Sequence, residues 1–311
     1  MSRKVLIAAP IHPILPRWLD ANGYDCTVNE TVTQQDAPAL VKDCVGIITS
    51  TRLQLDKELI DAAPMLKWIG RMGSGMEVID VPYATSKGIN CYSSPDGNKN
   101  AVAEHALGML LSLNKKILKS ANEVKEGKWL RDENRGVELD GKTIGIIGFG
   151  NTGSALAKKL YGFDVRILAY DKYKRGYAPP YVEECKLLAD IFNEADVVSF
   201  HVPLQEDTYH YFNEAFVSNM KKPFVLVNTS RGKVIDTNAM LEALESRKLT
   251  GVCLDVWEEE PIEKMSPDMR SLLEKTASMP QAIITPHIGG YSMEALYKMS
   301  KSLLDKIVSR K

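Results

Sequence analysis

Neither sign of charge dominates this chain: 39 lysines and arginines stand against 40 aspartates and glutamates in 311 residues, a formal net charge of −1. That balance removes the overall electrostatic case for a nucleic-acid or anionic-membrane partner. Cysteine is sparse and dispersed. Cys26, Cys44, Cys91, Cys185 and Cys253 form no C-x-x-C pair, and they read as small buried hydrophobes of a reducing compartment. No metal site is expected. Long hydrophobic runs are missing too, since none approaches the ~20 apolar residues of a membrane span. The N-terminal "MSRKVLIAAPIHPILP" has an apolar run too short for a signal peptide and is broken by prolines. Short-period repeats and low-complexity segments are absent. The expectation is a soluble, cytoplasmic protein.

What is present is a rhythm. The 311 residues, 44% of them hydrophobic, suffice for two domains at ~150 residues each. "KVLIAAP", "VGIITS", "LKWIGRM" and "INCYSS" read as strands, with helices or their caps at "PRWLDANG", "DAPALVKDC", "DKELIDAAP" and "VPYATSKG" between them. The pattern resumes with "KTIGIIG", "VRILAYD", "DVVSFHVP", "FVLVNT", "GVCLDV" and "AIITP". Such alternation predicts two α/β units, each a parallel sheet covered on both faces. The join falls in "SSPDGNKNAVAEHALGMLLSLNKKILKS", where Pro95, Asp96 and Gly97 are turn residues and Asn98 or Asn100 is the expected cap of a long helix. The final "GGYSMEALYKMSKSLLDKIVSRK" reads as one amphipathic helix returning to the first sheet. The first domain is therefore expected to be discontinuous, 1–95 with 288–311, and the second to run over 96–287.

Within the second unit, Gly148-Phe149-Gly150-Asn151-Thr152-Gly153 closes one apolar strand and opens a helix, and the next apolar strand ends at Asp171. A lone G-x-G-x-x-G is weak, but this context predicts a Rossmann dinucleotide site. Gly148 permits the tight turn, Gly150 lets backbone approach a pyrophosphate, and Gly153 permits close helix–strand packing. Asp171 is placed to accept hydrogen bonds from the adenosine ribose. Its carboxylate repels a 2′-phosphate and favours NAD, whereas Lys172, Lys174 and Arg175 directly after it pull the other way. A glycine turn without a nucleotide is the plain alternative.

Three polar groups follow strands on the C-terminal side of this sheet, where doubly wound folds bind ligands. Arg231 follows "FVLVN", Asp255 and Glu260 lie in "CLDVWEEEP", and His287 lies in "ITPHIGG". Histidine is the natural acid–base for a secondary alcohol, a carboxylate beside it fixes its tautomer, and an arginine clamps an α-hydroxy carboxylate. Taken one at a time, Arg231 is equally a surface or ion-paired arginine, Glu258 to Glu260 a solvated acidic turn, and His287 a satisfied loop histidine.

Together, "GIIGFGNTG" with Asp171, "NTSRGKVID", "LDVWEEEP", "TPHIGG", "RMGSGMEVIDV" and "NAVAEHALGMLL" make the chain resemble the D-isomer-specific 2-hydroxyacid dehydrogenases over nearly its whole length. The resemblance implies a Rossmann NAD-binding domain beside a flavodoxin-like substrate domain, with Arg231, Glu260 and His287 as the catalytic set. The interval from Arg231 selects Glu260 over its acidic neighbours. It further implies that Asp255 hydrogen-bonds the nicotinamide amide, with Thr229, Ser230 and the Gly289–Gly290 turn alongside. His201 and Pro203 should line the adenine side, with Thr208 near the phosphates. Backbone amides of Gly73, Ser74 and Gly75 should hold the substrate carboxylate, a use of bare backbone that suits a glycine-rich loop.

Within the family the chain is most similar to the short phosphoglycerate dehydrogenases. Arg52 matches by position an arginine used there near the phosphate end, and Arg71 and Lys99 are further cations; the bland reading makes all three surface cations. "SSPDGNKN" departs from the family's usual pattern before the long helix. Hydroxypyruvate or glyoxylate reduction is therefore the alternative activity, and an NAD(H)-sensing corepressor-like binding protein is the alternative of another class. With the last residue directly after the returning helix, no serine-sensing domain is expected. A homodimer is expected through the helix starting near Asn98, and Glu104 and His105 within it read as structural.

Overall fold

The computed structural model describes residues 3–309 as two α/β units. One comprises the chain up to Ala101 and again from Gly290; the other runs over Val102–Gly289.

In the first unit, β1 (Arg3–Ala8), β2 (Tyr24–Val28), β3 (Cys44–Thr49), β4 (Trp68–Arg71) and β5 (Asn90–Ser93) form a wholly parallel sheet in the order β2-β1-β3-β4-β5. This is the flavodoxin-like order, with its switch point between β1 and β3. β3 and β4 are buried along their whole length, as the continuous apolar text of a strand covered on both faces requires. β2 was not legible as a strand: it is an edge strand with no fully buried residue, so nothing selects an apolar run there. The final helix, Met293–Val308, returns to this sheet, where Leu303, Leu304 and Ile307 join Val5, Ile7 and Trp68 in one core.

The long helix spans Pro95–Asn114. Asn98 and Asn100 therefore lie inside it and do not cap it. Proline is suited to a first helical turn because its missing N–H would have had no partner there, so the turn-like "PDG" is helix.

In the second unit, β6 (Thr143–Ile147), β7 (Arg166–Tyr170), β8 (Glu183–Cys185), β9 (Val197–Phe200), β10 (Phe224–Asn228), β11 (Leu249–Leu254) and β12 (Ala282–Ile284) form a parallel sheet ordered β12-β11-β10-β9-β6-β7-β8. It is doubly wound and reverses between β6 and β9, where a dinucleotide crevice belongs. β8, with two glutamates in its three residues, carries no apolar run that would mark it as a strand. Ala103, Ala106, Met109 and Leu110 of the long helix are buried in this unit's core. The exposed apolar side chains come later, at Ile117, Leu118 and Val124 of the helix Ile117–Lys125 and at Trp129, Leu130 and Val137.

All five cysteines are free thiols, three buried and two half-buried. Among the described residues, no helix is long and apolar enough to cross a membrane, and no cluster of His, Cys, Asp and Glu suits a metal ion.

Candidate active site

β6 ends at Ile147 and the chain turns at Gly148 with φ +92°; a Cβ there would stand 2.5 Å from the carbonyl oxygen of His201. A Cβ on Gly153 would stand 2.1 Å from the carbonyl of Gly148, so the helix Asn151–Leu160 starts in contact with the turn. Above Gly150 nothing lies within 4 Å. A side chain is thus excluded where the loop packs, and open space is left at a helix N-terminus. Asn151 is exposed beside that space, and this is the geometry that admits a pyrophosphate.

Asp171 is largely buried. Its Oδ2 accepts the N–H of Phe149 at 3.0 Å, and its Oδ1 accepts those of Tyr173 and Lys174 at 3.0 and 3.1 Å. The three cations after it are engaged as well: Lys172 pairs with Asp207 at 2.6 Å, Lys174 donates to the carbonyl of Phe149, and Arg175 donates to the carbonyls of Asp171 and Lys174. A carboxylate offers about four acceptor sites, so the loop uses most of this one.

His201 is buried, with Nε2 2.9 Å from Ser199 Oγ and Nδ1 3.1 Å from Thr152 Oγ1, and burial pushes its pKa down to about 4. A neutral ring therefore ties the glycine loop to β9. Pro203 is exposed, and its carbonyl accepts the hydroxyl of Thr208 at 2.6 Å; the same hydroxyl oxygen accepts the Gln205 N–H at 2.7 Å. Thr208 thereby braces the turn after β9.

The acid–base corner is built at the ends of β10, β11 and β12. Asn228, fully buried, accepts the Ser230 N–H and hydroxyl at 3.0 and 2.7 Å and donates to the Arg231 carbonyl at 2.9 Å. This side-chain turn fixes where Arg231 leaves the strand. Arg231 is half-buried and donates to the Ser230 carbonyl at 2.6 Å. A Cβ on Gly232 would stand 1.7 Å from the Trp257 carbonyl oxygen, so glycine is what lets this loop touch the next one. Trp257 in turn donates its N–H to Glu260 Oε1 at 2.9 Å, and Glu260 Oε2 is 2.7 Å from His287 Nδ1. A carboxylate only accepts, so Nδ1 carries a proton and Nε2 is left for chemistry. The His287 side chain is 44% exposed, enough to meet a substrate.

The three glutamates separate cleanly. Glu258 accepts from His210 and from the Thr237 N–H, both at 2.8 Å, and Glu259 accepts the Ser266 N–H at 2.6 Å. Only Glu260 meets His287.

Asp255 is 2% exposed. Its Oδ1 accepts the Thr285 hydroxyl at 2.6 Å and the Ile288 N–H at 2.9 Å, and its Oδ2 accepts the Gly289 N–H at 2.7 Å. Burial alone would raise its pKa; hydrogen bonds from His105, Thr285, Gly289 and Ile288 together hold it below the usual carboxylate range. The reading of Glu104 and His105 as a structural pair needs dividing. Glu104 pairs with Lys159 at 2.8 Å, but His105 reaches Thr285 Oγ1 at 2.8 Å and Asp255 Oδ1 at 3.3 Å. Helical neighbours point apart, as expected, and one of them points into the site. Nothing in the local sequence marks His105, whereas Asn228 before small hydroxyl residues is a recognisable turn signal. Thr229 is buried and its Oγ1 has no hydrogen-bond partner among the described residues. An orphaned hydroxyl next to Arg231, with open space over Gly150, fits a bound nicotinamide dinucleotide.

In the first unit, Gly73 follows β4 with φ +137°; its N–H donates to Ser94 Oγ at 3.0 Å and its carbonyl accepts the Ser94 N–H at 2.8 Å. Ser74 is exposed and Gly75 half-buried. Arg52 is exposed after β3, at the switch point of its sheet, and Lys99 is half-buried. Arg71 is no surface cation: it is buried and donates to the Met72 carbonyl. Gly290 belongs to this unit, beside Asn98.

Residues 107–289 match a family model described as D-isomer specific 2-hydroxyacid dehydrogenase, NAD binding domain. A glyoxylate reductase of Thermofilum pendens is 36% identical over 267 residues, covering 84% of this chain and 76% of that protein. A D-3-phosphoglycerate dehydrogenase of Archaeoglobus fulgidus is 32% identical over 307 residues, covering 98% of this chain and 57% of that protein. Among solved structures, a D-lactate dehydrogenase of Aquifex aeolicus in complex with NAD and lactic acid superposes with a TM-score of 0.86 at 29% identity, covering 99% of this chain and 95% of that one.

Proposed function

The chain belongs to the D-isomer-specific 2-hydroxyacid dehydrogenases and is an NAD-dependent oxidoreductase acting on CH–OH groups, and from that premise we propose that its substrate pair is 3-phosphoglycerate and 3-phosphohydroxypyruvate, the oxidative entry to serine biosynthesis. The observation that carries the chemistry is the Glu260–His287 pair, with an imidazole Nε2 left free for a substrate proton.

His287 Nε2 takes the proton of the C2 hydroxyl during oxidation and returns it during reduction. Glu260 keeps Nδ1 protonated and stabilises the imidazolium that forms. Arg231 binds the substrate carboxylate and the C2 oxygen through parallel N–H donors. In the first unit, the amides of Ser74 and Gly75 are the proposed carboxylate donors, whereas the Gly73 N–H, expected to join them, is taken by Ser94 Oγ. NAD, when bound, supplies the hydride acceptor and, reduced, the donor. The residues that would hold it are Gly148, Gly150, Asn151, Thr152 and Gly153 at the pyrophosphate and Asp171 at the adenosine ribose. His201 and Pro203 would line the adenine side, with Thr208 near the phosphates. Thr229, Ser230, Asp255 and the turn at Gly289–Gly290 serve the nicotinamide. Arg52, exposed at the end of β3, is the proposed phosphate contact.

A second reading is reduction of hydroxypyruvate or glyoxylate. It is favoured by the burial of Arg71, which leaves fewer cations for a phosphate. NADH oxidation against 3-phosphohydroxypyruvate, hydroxypyruvate, glyoxylate and pyruvate, repeated with NADPH, separates the two. A kcat/KM for the phosphorylated acid at least about a hundredfold above that for hydroxypyruvate, ~2.7 kcal/mol, supports the first reading. Equal or better use of the unphosphorylated acids overturns it.

A further inference from the structure

We propose that His105 is a positioning residue for the acid–base turn, acting on His287 through Thr285 and Asp255; this rests on the reading of His287 as the acid–base. The direction of the hydrogen bonds follows from one proton. The Thr285 hydroxyl donates to Asp255 Oδ1 at 2.6 Å, so toward His105 Nε2, 2.8 Å away, it must accept. His105 Nε2 therefore carries a proton and starts a one-way chain: ring N–H to hydroxyl, hydroxyl to carboxylate. The carboxylate then holds the N–H groups of Ile288 and Gly289, the two residues after His287. The His287 N–H is held by the Thr285 carbonyl at 3.0 Å.

His287 needs such support. Its φ of +55° lies in the left-handed region, which a residue with a side chain keeps only where its surroundings impose it. Asp255 and Thr285 grip the chain on both sides of that residue, and His105 grips both of them. The fit is close, since a Cβ on Gly289 would stand 2.7 Å from Asp255 Oδ2 and 3.4 Å from the His105 ring. Without the His105 donor, Thr285 Oγ1 loses its fixed orientation and Asp255 loses a partner that offsets its burial. The imidazole of His287 then drifts relative to Glu260, although neither of those residues has changed.

The test compares His105→Leu, His105→Gln, Thr285→Val and the double variant His105→Leu/Thr285→Val in the full chain. Gln keeps an N–H donor at a reach similar to that of His Nε2. With NADH and the best of the four 2-oxo acids, His105→Leu should lower kcat about tenfold to a hundredfold, the scale of a small misplacement of a reacting group, with little change in KM. His105→Gln should recover most of that loss. The double variant should be no worse than Thr285→Val alone, because both substitutions break one chain. In the ligand-free protein, amide hydrogen exchange at Ile288 and Gly289 should quicken by about tenfold in His105→Leu and return toward wild type in His105→Gln.

The proposal is overturned if His105→Leu keeps kcat and both exchange rates within about twofold, if the two single losses multiply, or if Gln restores nothing while the melting temperature collapses. His287→Ala separates this from the underlying reading. Near wild-type kcat in that variant removes the acid–base assignment whatever His105 does, while the exchange result still reports on the turn.

Discussion

Nδ1 of His287 stands 2.7 Å from Oε2 of Glu260, whose other oxygen accepts the main-chain N–H of Trp257 at 2.9 Å. One carboxylate thus serves two donors. It orients the imidazole and is itself oriented by the loop that Gly232 allows to approach. Both tasks need two acceptor oxygens, which an amide lacks.

Glu260→Gln therefore sets up a conflict. If its single oxygen faces Trp257, its NH2 group faces Nδ1 and forces the ring proton onto Nε2, where a base is wanted. The expected loss in kcat is about a hundredfold or more, the usual range for removal of general acid–base function. Steady-state NADH oxidation with the best acid measures it, and a loss of less than about tenfold would place the acid–base elsewhere.

The motifs were readable because each is a local rule. A strand ending in glycines, a strand ending in Asn-Thr-Ser-Arg and a Pro-His-Ile-Gly-Gly turn carry their backbone demands in consecutive residues. Which glutamate meets His287 is not local, and only the family interval pointed to Glu260; in the fold, Glu258 and Glu259 turn to His210 and Ser266 instead. His105 was unreadable for the same reason, since its partners lie far along the chain at Thr285 and Asp255. Arg71 misled in the opposite sense: a cation at a strand end suggests solvent, yet this one is buried against its own loop. The strands β2 and β8 carry no apolar run to mark them, since Tyr24–Val28 includes Asp25 and Thr27 and Glu183–Cys185 includes two glutamates.

Gly232→Ala should separate contact from conformation. Gly232 has no positive φ, so alanine meets no backbone strain, only the Trp257 carbonyl 1.7 Å from its Cβ. The loops must part, at a cost of about 1–3 kcal/mol for overpacking, and Arg231 and Glu260 shift with them. A lowered urea midpoint together with reduced kcat/KM is expected. An unchanged midpoint would mean that the two loops yield freely.

His201 gives a pH dependence whose sign is fixed. Burial lowers its folded pKa from 6.5 to about 4, so the unfolded chain binds the extra proton first. The neutral ring's contribution is complete above about pH 6.5 and is lost as pH falls toward 4. Between pH 7 and pH 4.5 this one group should remove about 2–3 kcal/mol of unfolding free energy. His201→Gln should show a correspondingly smaller loss in urea unfolding over that range, and parallel pH curves would refute the buried neutral ring.

Asp171 should set cofactor choice by charge more than by hydrogen-bond count, because Phe149, Tyr173 and Lys174 already occupy most of its acceptor sites. Wild type is expected to favour NADH. Asp171→Ser should narrow the NADH to NADPH ratio of kcat/KM by about tenfold, the worth of one nearby charge at a partly solvated site. An unchanged ratio would mean that the Asp171 carboxylate does not set the choice between the two cofactors.

Trp129 should decide the oligomeric state. It is 78% exposed, and Ile117, Leu118, Val124, Leu130 and Val137 are exposed in the same stretch of chain. Scattered surface apolars are ordinary, but we propose that large ones this close along the chain form one interaction surface. A second copy is the proposed occupant, and aromatic anchors tend to carry such interfaces. Light scattering at micromolar concentration should give about twice the chain mass of 34.6 kDa. Trp129→Glu, which would bury an unpaired carboxylate in that interface, should give a single chain with an unchanged melting profile at high dilution. A wild-type monomer would contradict the homodimer, and a Trp129→Glu dimer would move the interface off this segment.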